Sequence, residues 1–117
     1  MAANGKYVQV GDVLDYTATS AVARGDAVVI GLNIVGIALD DIAANATGPV
    51  AIRGVFRVTK ASGGISQGAK IYWDANSGNF TTSSSSGSGD NPFAGYAWSA
   101  AASADTTVEI LLHPPGS

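Results

Sequence analysis

Cysteine is absent from the 117-residue chain. Its absence excludes a disulfide framework and any thiolate zinc site, and it leaves the redox compartment unreadable. Histidine occurs once, as His113, beside a Pro-Pro-Gly-Ser tail. A Ser-His-Asp triad needs its base held rigidly by a third group, and a tail residue is poorly placed for that. Charge is scarce as well: Asp, Glu, Lys and Arg make up 13% of the chain, against about 25% in an ordinary soluble domain. The six basic residues stand singly within a net charge of −3. They form no stripe, so nucleic-acid binding has no electrostatic footprint. No apolar run approaches the ~20 residues of a membrane-spanning helix. The stretch Met1-Ala2-Ala3-Asn4-Gly5-Lys6 lacks the apolar core of a signal peptide. A soluble protein made in the cytoplasm is expected.

What is present is a β-scaffold. A turn leading into a short apolar strand occurs twice. Arg24-Gly25-Asp26 enters Ala27 to Ile30 and is followed by Gly36-Ile37-Ala38-Leu39. Gln67-Gly68 enters Ala69 to Asp74 and is answered by Gly95-Tyr96-Ala97-Trp98. The apolar period is two, not 3.6. Val50, Ile52, Gly54, Phe56 and Val58 share one side of a strand over residues 50–59, with Arg53 and Arg57 on the other. Val108, Ile110 and Leu112 alternate with Glu109, Leu111 and His113, while Ala69, Ile71 and Trp73 alternate with Lys70, Tyr72 and Asp74. Around Val28, polar residues are missing from both sides, the pattern of a strand covered on both faces.

Turn signals punctuate these runs, among them Val10-Gly11-Asp12, Thr47-Gly48-Pro49 and Ser62-Gly63-Gly64. Asp74 to Asn79 predicts a tight hairpin with Gly78 at positive φ. Many short strands with frequent turns predict an all-β sandwich or barrel, one domain over residues 1–117. Residues 40–46 have room for one helical turn, and Ala100 to Ala102 reads as neither strand nor helix. Phe56, Ile71, Trp73 and Ile110 are the expected core. Thr81 to Asp90, a Ser/Gly tract, reads as a loop. Residues of about 1–7 and 113–117 read as flexible arms.

Candidate motifs reduce to scaffold. Gly63 and Gly68 have the separation of a phosphate loop, but Ala69 stands where the lysine belongs and no helix pattern follows. Arg24-Gly25-Asp26 spells an adhesion tripeptide, yet it runs straight into an apolar strand, as a turn would. Asp12 with Asp15 and Asp40 with Asp41 are the close carboxylate pairs. Calcium loops need more ligands and a bidentate Glu, and the one glutamate, Glu109, sits on a strand. Carboxylate spacing alone leaves a glycosidase pair open. Tyr7, Tyr16, Tyr72, Tyr96, Trp73 and Trp98 read as core or interface anchors.

The ordered set Val10-Gly11-Asp12-Val13-Leu14-Asp15-Tyr16-Thr17-Ala18, Gly25-Asp26-Ala27-Val28-Val29, Gly36-Ile37-Ala38-Leu39, Gly54-Val55-Phe56, Gln67 to Asp74, Gly95-Tyr96-Ala97 and Val108 to Leu112 spans nearly the whole chain. It resembles the small capsid cement, or decoration, proteins of tailed bacteriophages, a family long filed as a domain of unknown function. The resemblance implies an all-β structural protein on the outer surface of a virion, bound to the major capsid protein, with no enzymatic activity and no cofactor. A homo-oligomer, dimer or trimer, at a capsid symmetry axis is expected, without nucleic acid or membrane. The terminal residues Met1, Ala2, Ala3, Asn4, Lys6, Tyr7, His113, Pro114 and Pro115 are the expected contacts with the shell or a neighbouring copy. A second reading is a carbohydrate- or cell-surface-binding module using Trp73 or Trp98. A third is a small hydrolase.

Overall fold

The computed structural model describes Gln9 and residues 11–31, 34–86 and 89–114. The period-two runs become strands: β1 (Val13–Thr17), β2 (Ala27–Ile30), β3 (Ile34–Ala38), β4 (Thr47–Ala51), β5 (Gly54–Thr59), β6 (Lys70–Asp74), β7 (Asn79–Thr81), β8 (Ser85–Ser86), β9 (Gly89–Asp90), β10 (Phe93–Ala97) and β11 (Thr107–Leu112). No helix occurs among the described residues. The strands form two larger antiparallel sheets, ordered β1-β4-β3-β2 and β5-β11-β10-β6-β7, plus the two-stranded β8-β9. The five-stranded sheet curls into a half-barrel. A parallel bridge from Lys60 to Phe80 draws its two edges together, and Ala61 N–H donates to Phe80 O at 2.8 Å.

The two sheets are copies of one topology. Placing β1, β2, β3 and β4 on β5, β6, β10 and β11 converts one strand order into the other. The hydrogen bonds repeat with it. Gly25 N–H donates to Ala38 O and Ala38 N–H to Asp26 O; Gly68 N–H donates to Ala97 O and Ala97 N–H to Ala69 O. Each sheet carries two corners between its strands, and the corners pair with each other through the bridges Val22–Ile42 and Ile65–Ala101. In every corner a residue N–H returns to the carbonyl three residues earlier: Asp26 to Ala23, Ala46 to Ala43, Ala69 to Ser66 and Asp105 to Ala102. The third turn residue has positive φ at Gly25, Asn45 and Gly68, with values of 91°, 66° and 85°. Glycine and asparagine tolerate that region best. The first copy covers residues 11–51. The second covers 54–112 and carries β7, β8 and β9 as an insertion between β6 and β10.

The copies stack back to front. Val35 and Ile37 of the first share a core with Ile71, Ala97, Ile110, Val108 and Leu112 of the second, and Ala27 and Val29 pack against it. The opposite register of the first sheet, Val28, Ala38 and Val50, forms a second small core beneath its own corners, with Ala18 and Ile42. By the strand equivalence, Val28, Ala38 and Val50 correspond to Ile71, Ala97 and Ile110. The back of the first sheet therefore lies on the front of the second. Strand β2 is covered on both faces, as its all-apolar sequence requires.

Four expectations change. The run over 50–59 is two strands in different sheets, broken at Ile52–Arg53 where the chain passes from one copy to the next. Thr47-Gly48-Pro49 is not a turn but the start of β4, an inner strand. Pro49 is tolerated because its carbonyl accepts from Leu39, so its missing N–H falls on the side where β3 has already ended. Residues 40–46 form a corner, not a helical turn, with Ile42 bridged to Val22. Phe56 and Trp73 are half-buried against the core, whereas Ile71 and Ile110 are fully buried.

The hairpin of Asp74 to Asn79 forms as its sequence dictates. Gly78 takes φ 69°, and the buried Asp74 carboxylate accepts N–H bonds from Asn76 and Ser77 at 3.0 and 3.3 Å. In the Ser/Gly tract, read as a loop, Ser85–Ser86 pairs with Gly89–Asp90. Buried Asn91 anchors the tract: its Nδ2 donates to Ser83 O and its N–H to Ser84 O. Lys60 is buried, its Nζ donating to Ala61 O and Asp105 O and tying the end of β5 to the last corner.

Candidate functional site

Among the described residues, no third layer lies over the back of the second sheet. In the first sheet the same register is packed on a neighbour; in the second it points outward. Val55 and Arg57 on β5, Lys70 and Tyr72 on β6, Tyr96 on β10, and Glu109 and Leu111 on β11 occupy it. A shift of register between Phe93 and Gly95 adds a residue to β10. That bulge puts Phe93 and Tyr96, three residues apart, on one face. Their rings meet edge to face at 5.4 Å, Phe93 meets Tyr72 at 5.8 Å, and Tyr96 meets His113 at 5.9 Å. Four rings thus run in a chain from β6 across β10 to the residue that follows β11, and each of the two Tyr–Phe pairs contributes about 0.5–1.5 kcal/mol beyond its buried area.

Exposure follows the repeat. Among the described residues the exposed large hydrophobics are Val13 at 38%, Leu39 at 38%, Val55 at 44% and Trp98 at 52%. Val13 and Val55 are equivalent, as the partners of Ala51 and Leu111. Leu39 and Trp98 are equivalent too, each donating its N–H to the matching strand, to Pro49 O and Glu109 O. Both pairs belong to the back register. Charges sit beside the apolar patch: Arg57 and Lys70 against Glu109, with Arg57 bonded to Glu109 at 3.1 Å.

The remaining candidates serve the scaffold. Arg24, Gly25 and Asp26 are exposed, but the Asp26 carboxylate accepts the N–H of Ala23 within its own turn. Asp41 accepts from Arg24 N–H at 2.9 Å, and Asp40 from Asp41 N–H. Gly68 turns the chain into β6, where Lys70 lies on a strand. No group of three or more His, Cys, Asp or Glu residues that could hold a metal occurs among the described residues. Trp73 is half-buried and packs on Phe80 at 4.8 Å, whereas Trp98 is 52% exposed.

The model of the phage cement protein family matches residues 8–112, both copies of the repeat together. The chain belongs to the phage cement protein family. No curated protein and no solved structure matches it. In this cement protein the expected contact residues Met1, Ala2, Ala3, Asn4, Lys6, Tyr7 and Pro115 lie outside the described residues. His113 and Pro114 are held at the end of the aromatic face: His113 N–H donates to Ala94 O at 3.0 Å and its Nδ1 lies 3.0 Å from Pro114 O. Sequence reasoning named Tyr72 and Tyr96 as core or interface anchors without placing them, and it missed Phe93, Val55 and Leu111. The available signal was the repeat itself, which puts Val13 with Val55 and Leu39 with Trp98.

Proposed function

We propose that the protein binds the outer surface of a phage head and stabilises the shell as a structural component rather than a catalyst. The observation that carries the reading is the cement-family match over residues 8–112. A sheet face with half-buried aromatics beside the exposed Val55 and Trp98, on a chain with little charge, supports it, since such a face loses solvent exposure on assembly. Its partner is the major capsid protein, and it is made in the host cytoplasm before joining the virion. Each copy need bury only a modest area, because identical sites repeated over a symmetric shell add up through avidity. The terminal residues 1–7 and 113–115 contribute contacts to the shell or to a neighbouring copy.

Purified heads lacking the protein provide the test. Added protein should sediment with them to a fixed stoichiometry and raise the temperature at which they rupture. Heads that bind none, or that rupture at an unchanged temperature when saturated, would overturn the reading. Deleting Met1 to Lys6 should leave the melting temperature of the free protein nearly unchanged and weaken head binding. Unchanged affinity would remove the N-terminal segment from the attachment.

A further inference from the structure

The stacking inside the chain is heterologous: the back of one repeat lies on the front of the other. Among the described residues such a contact leaves two unlike surfaces unused, the back of the second repeat and the front of the first. We propose that these two surfaces bind each other between copies, so that the aromatic back of one molecule's second repeat seats on the corner-bearing front of the next molecule's first repeat.

Three observations point to a second copy as the occupant. The front of the first repeat is more open than its equivalent. Val22 and Tyr16 are half-buried, whereas Ile65 and Val58, which match them in the second repeat, are buried beneath the stacked sheet. Over the first corner pair lies an open depression of about 480 Å³, lined by Ala21, Val22, Ala23, Ile42 and Ala43 with Asp26 and Asp41. The second observation is the register: Ala27, Val29 and Ile37, which make the contact inside the chain, match Lys70, Tyr72 and Tyr96 on the free back. The third is charge. The depression on the front is lined by Asp26 and Asp41, while the free back carries Arg57 and Lys70 against Glu109. Face-to-face pairing of two backs, or of two fronts, would bring like charges together; back-to-front pairing joins opposite ones.

The inference deepens the cement reading by naming what covers the face, but its experiment uses free protein, so failure of head binding leaves it standing. The chain has no cysteine, which permits site-specific cross-linking. Val55→Cys places a thiol on the back and Ala43→Cys one on the front. Mixed and treated with a short bis-maleimide at high concentration, the two variants should form a mixed dimer, V55C to A43C, in large excess over either homodimer. Dominant V55C–V55C product would show back-to-back pairing and overturn the proposal, as would purely random products with a monomeric mass by sedimentation equilibrium. Lys70→Glu should weaken self-association at least tenfold, and Asp41→Lys in the partner should restore part of it. Association of Lys70→Glu equal to that of the parent protein would also overturn the proposal.

Discussion

Gly95 has no room for a side chain: a Cβ there would sit 1.9 Å from the carbonyl oxygen of Leu111. At the equivalent position, a Cβ on Gly36 would sit 2.5 Å from Val50 Cγ1 and 2.8 Å from Ala51 O. Both glycines let the third strand of a repeat press against the fourth. Gly95→Ala should push β10 off β11 and cost about 3 kcal/mol or more in denaturant melts, at the upper end for overpacking. Gly25 is a different case. Nothing lies within 4 Å of its Cβ position, and its φ is 91°. Gly25→Ala is therefore expected to cost about 1–2 kcal/mol through conformation alone, and Gly25→Asn less. Equal losses for the two variants would contradict this. Among the large side chains, Ile110→Ala should cost about 2–5 kcal/mol and Phe56→Ala less, because one is fully buried and the other half-exposed at its edge. The exposed Arg57–Glu109 pair, 70% and 40% accessible, adds at most about 1 kcal/mol.

The recurring element is the strand–corner–strand unit, used four times with different sequences. Arg24-Gly25-Asp26 and Gln67-Gly68-Ala69 were legible as corners because glycine supplies the positive φ openly. The other two, at Asn45 and at Ala102 to Asp105, were not, since one relies on asparagine and the other keeps negative φ at Ala104. Ala104→Gly should accordingly bring no stability. The hairpin at Asp74 to Asn79 and the alternation of β11 were also legible, because both are local patterns. The break at Ile52–Arg53 was hidden: the alternation runs straight through it, and only non-local pairing decides which sheet each half joins. The aromatic face was hidden for a similar reason. Tyr72 and Trp73 are adjacent aromatics on opposite faces, and the bulge that carries Phe93 to the same side as Tyr96 leaves no mark in the residue pattern. The insertion adds its own test. Phe80 on β7 is buried and closes the half-barrel at Lys60, so Phe80→Ala should cost about 3–5 kcal/mol. A variant with β8 and β9 replaced by a short turn that keeps Asn91 bonded should melt close to the parent. A large loss there would mean that the β8–β9 ladder, and not Phe80 alone, closes the half-barrel.

For the molecule as a whole, the duplicated fold separates two kinds of contact that salt should tell apart. Inside the chain the repeats meet through Val35, Ile37, Ile71 and Ile110, an apolar contact indifferent to ionic strength. Between chains, the proposed contact sets an acidic first repeat against a basic-rimmed aromatic back. Exposed charges of this kind act over a Debye length, which shrinks from about 30 Å at 0.01 M to about 3 Å at 1 M. Raising sodium chloride across that range should therefore weaken self-association by tenfold or more, while the melting temperature of the monomer shifts little. Tyr96→Ala should weaken association at every salt concentration, since the ring contributes apolar area rather than charge, and should leave the salt slope unchanged. Lys70→Glu should flatten that slope. Sedimentation equilibrium across a salt series for the three proteins reads all of these outcomes at once. Association that does not weaken with salt in the parent protein would mean an apolar contact without charge pairing, and would remove the acidic front of the first repeat from the interface.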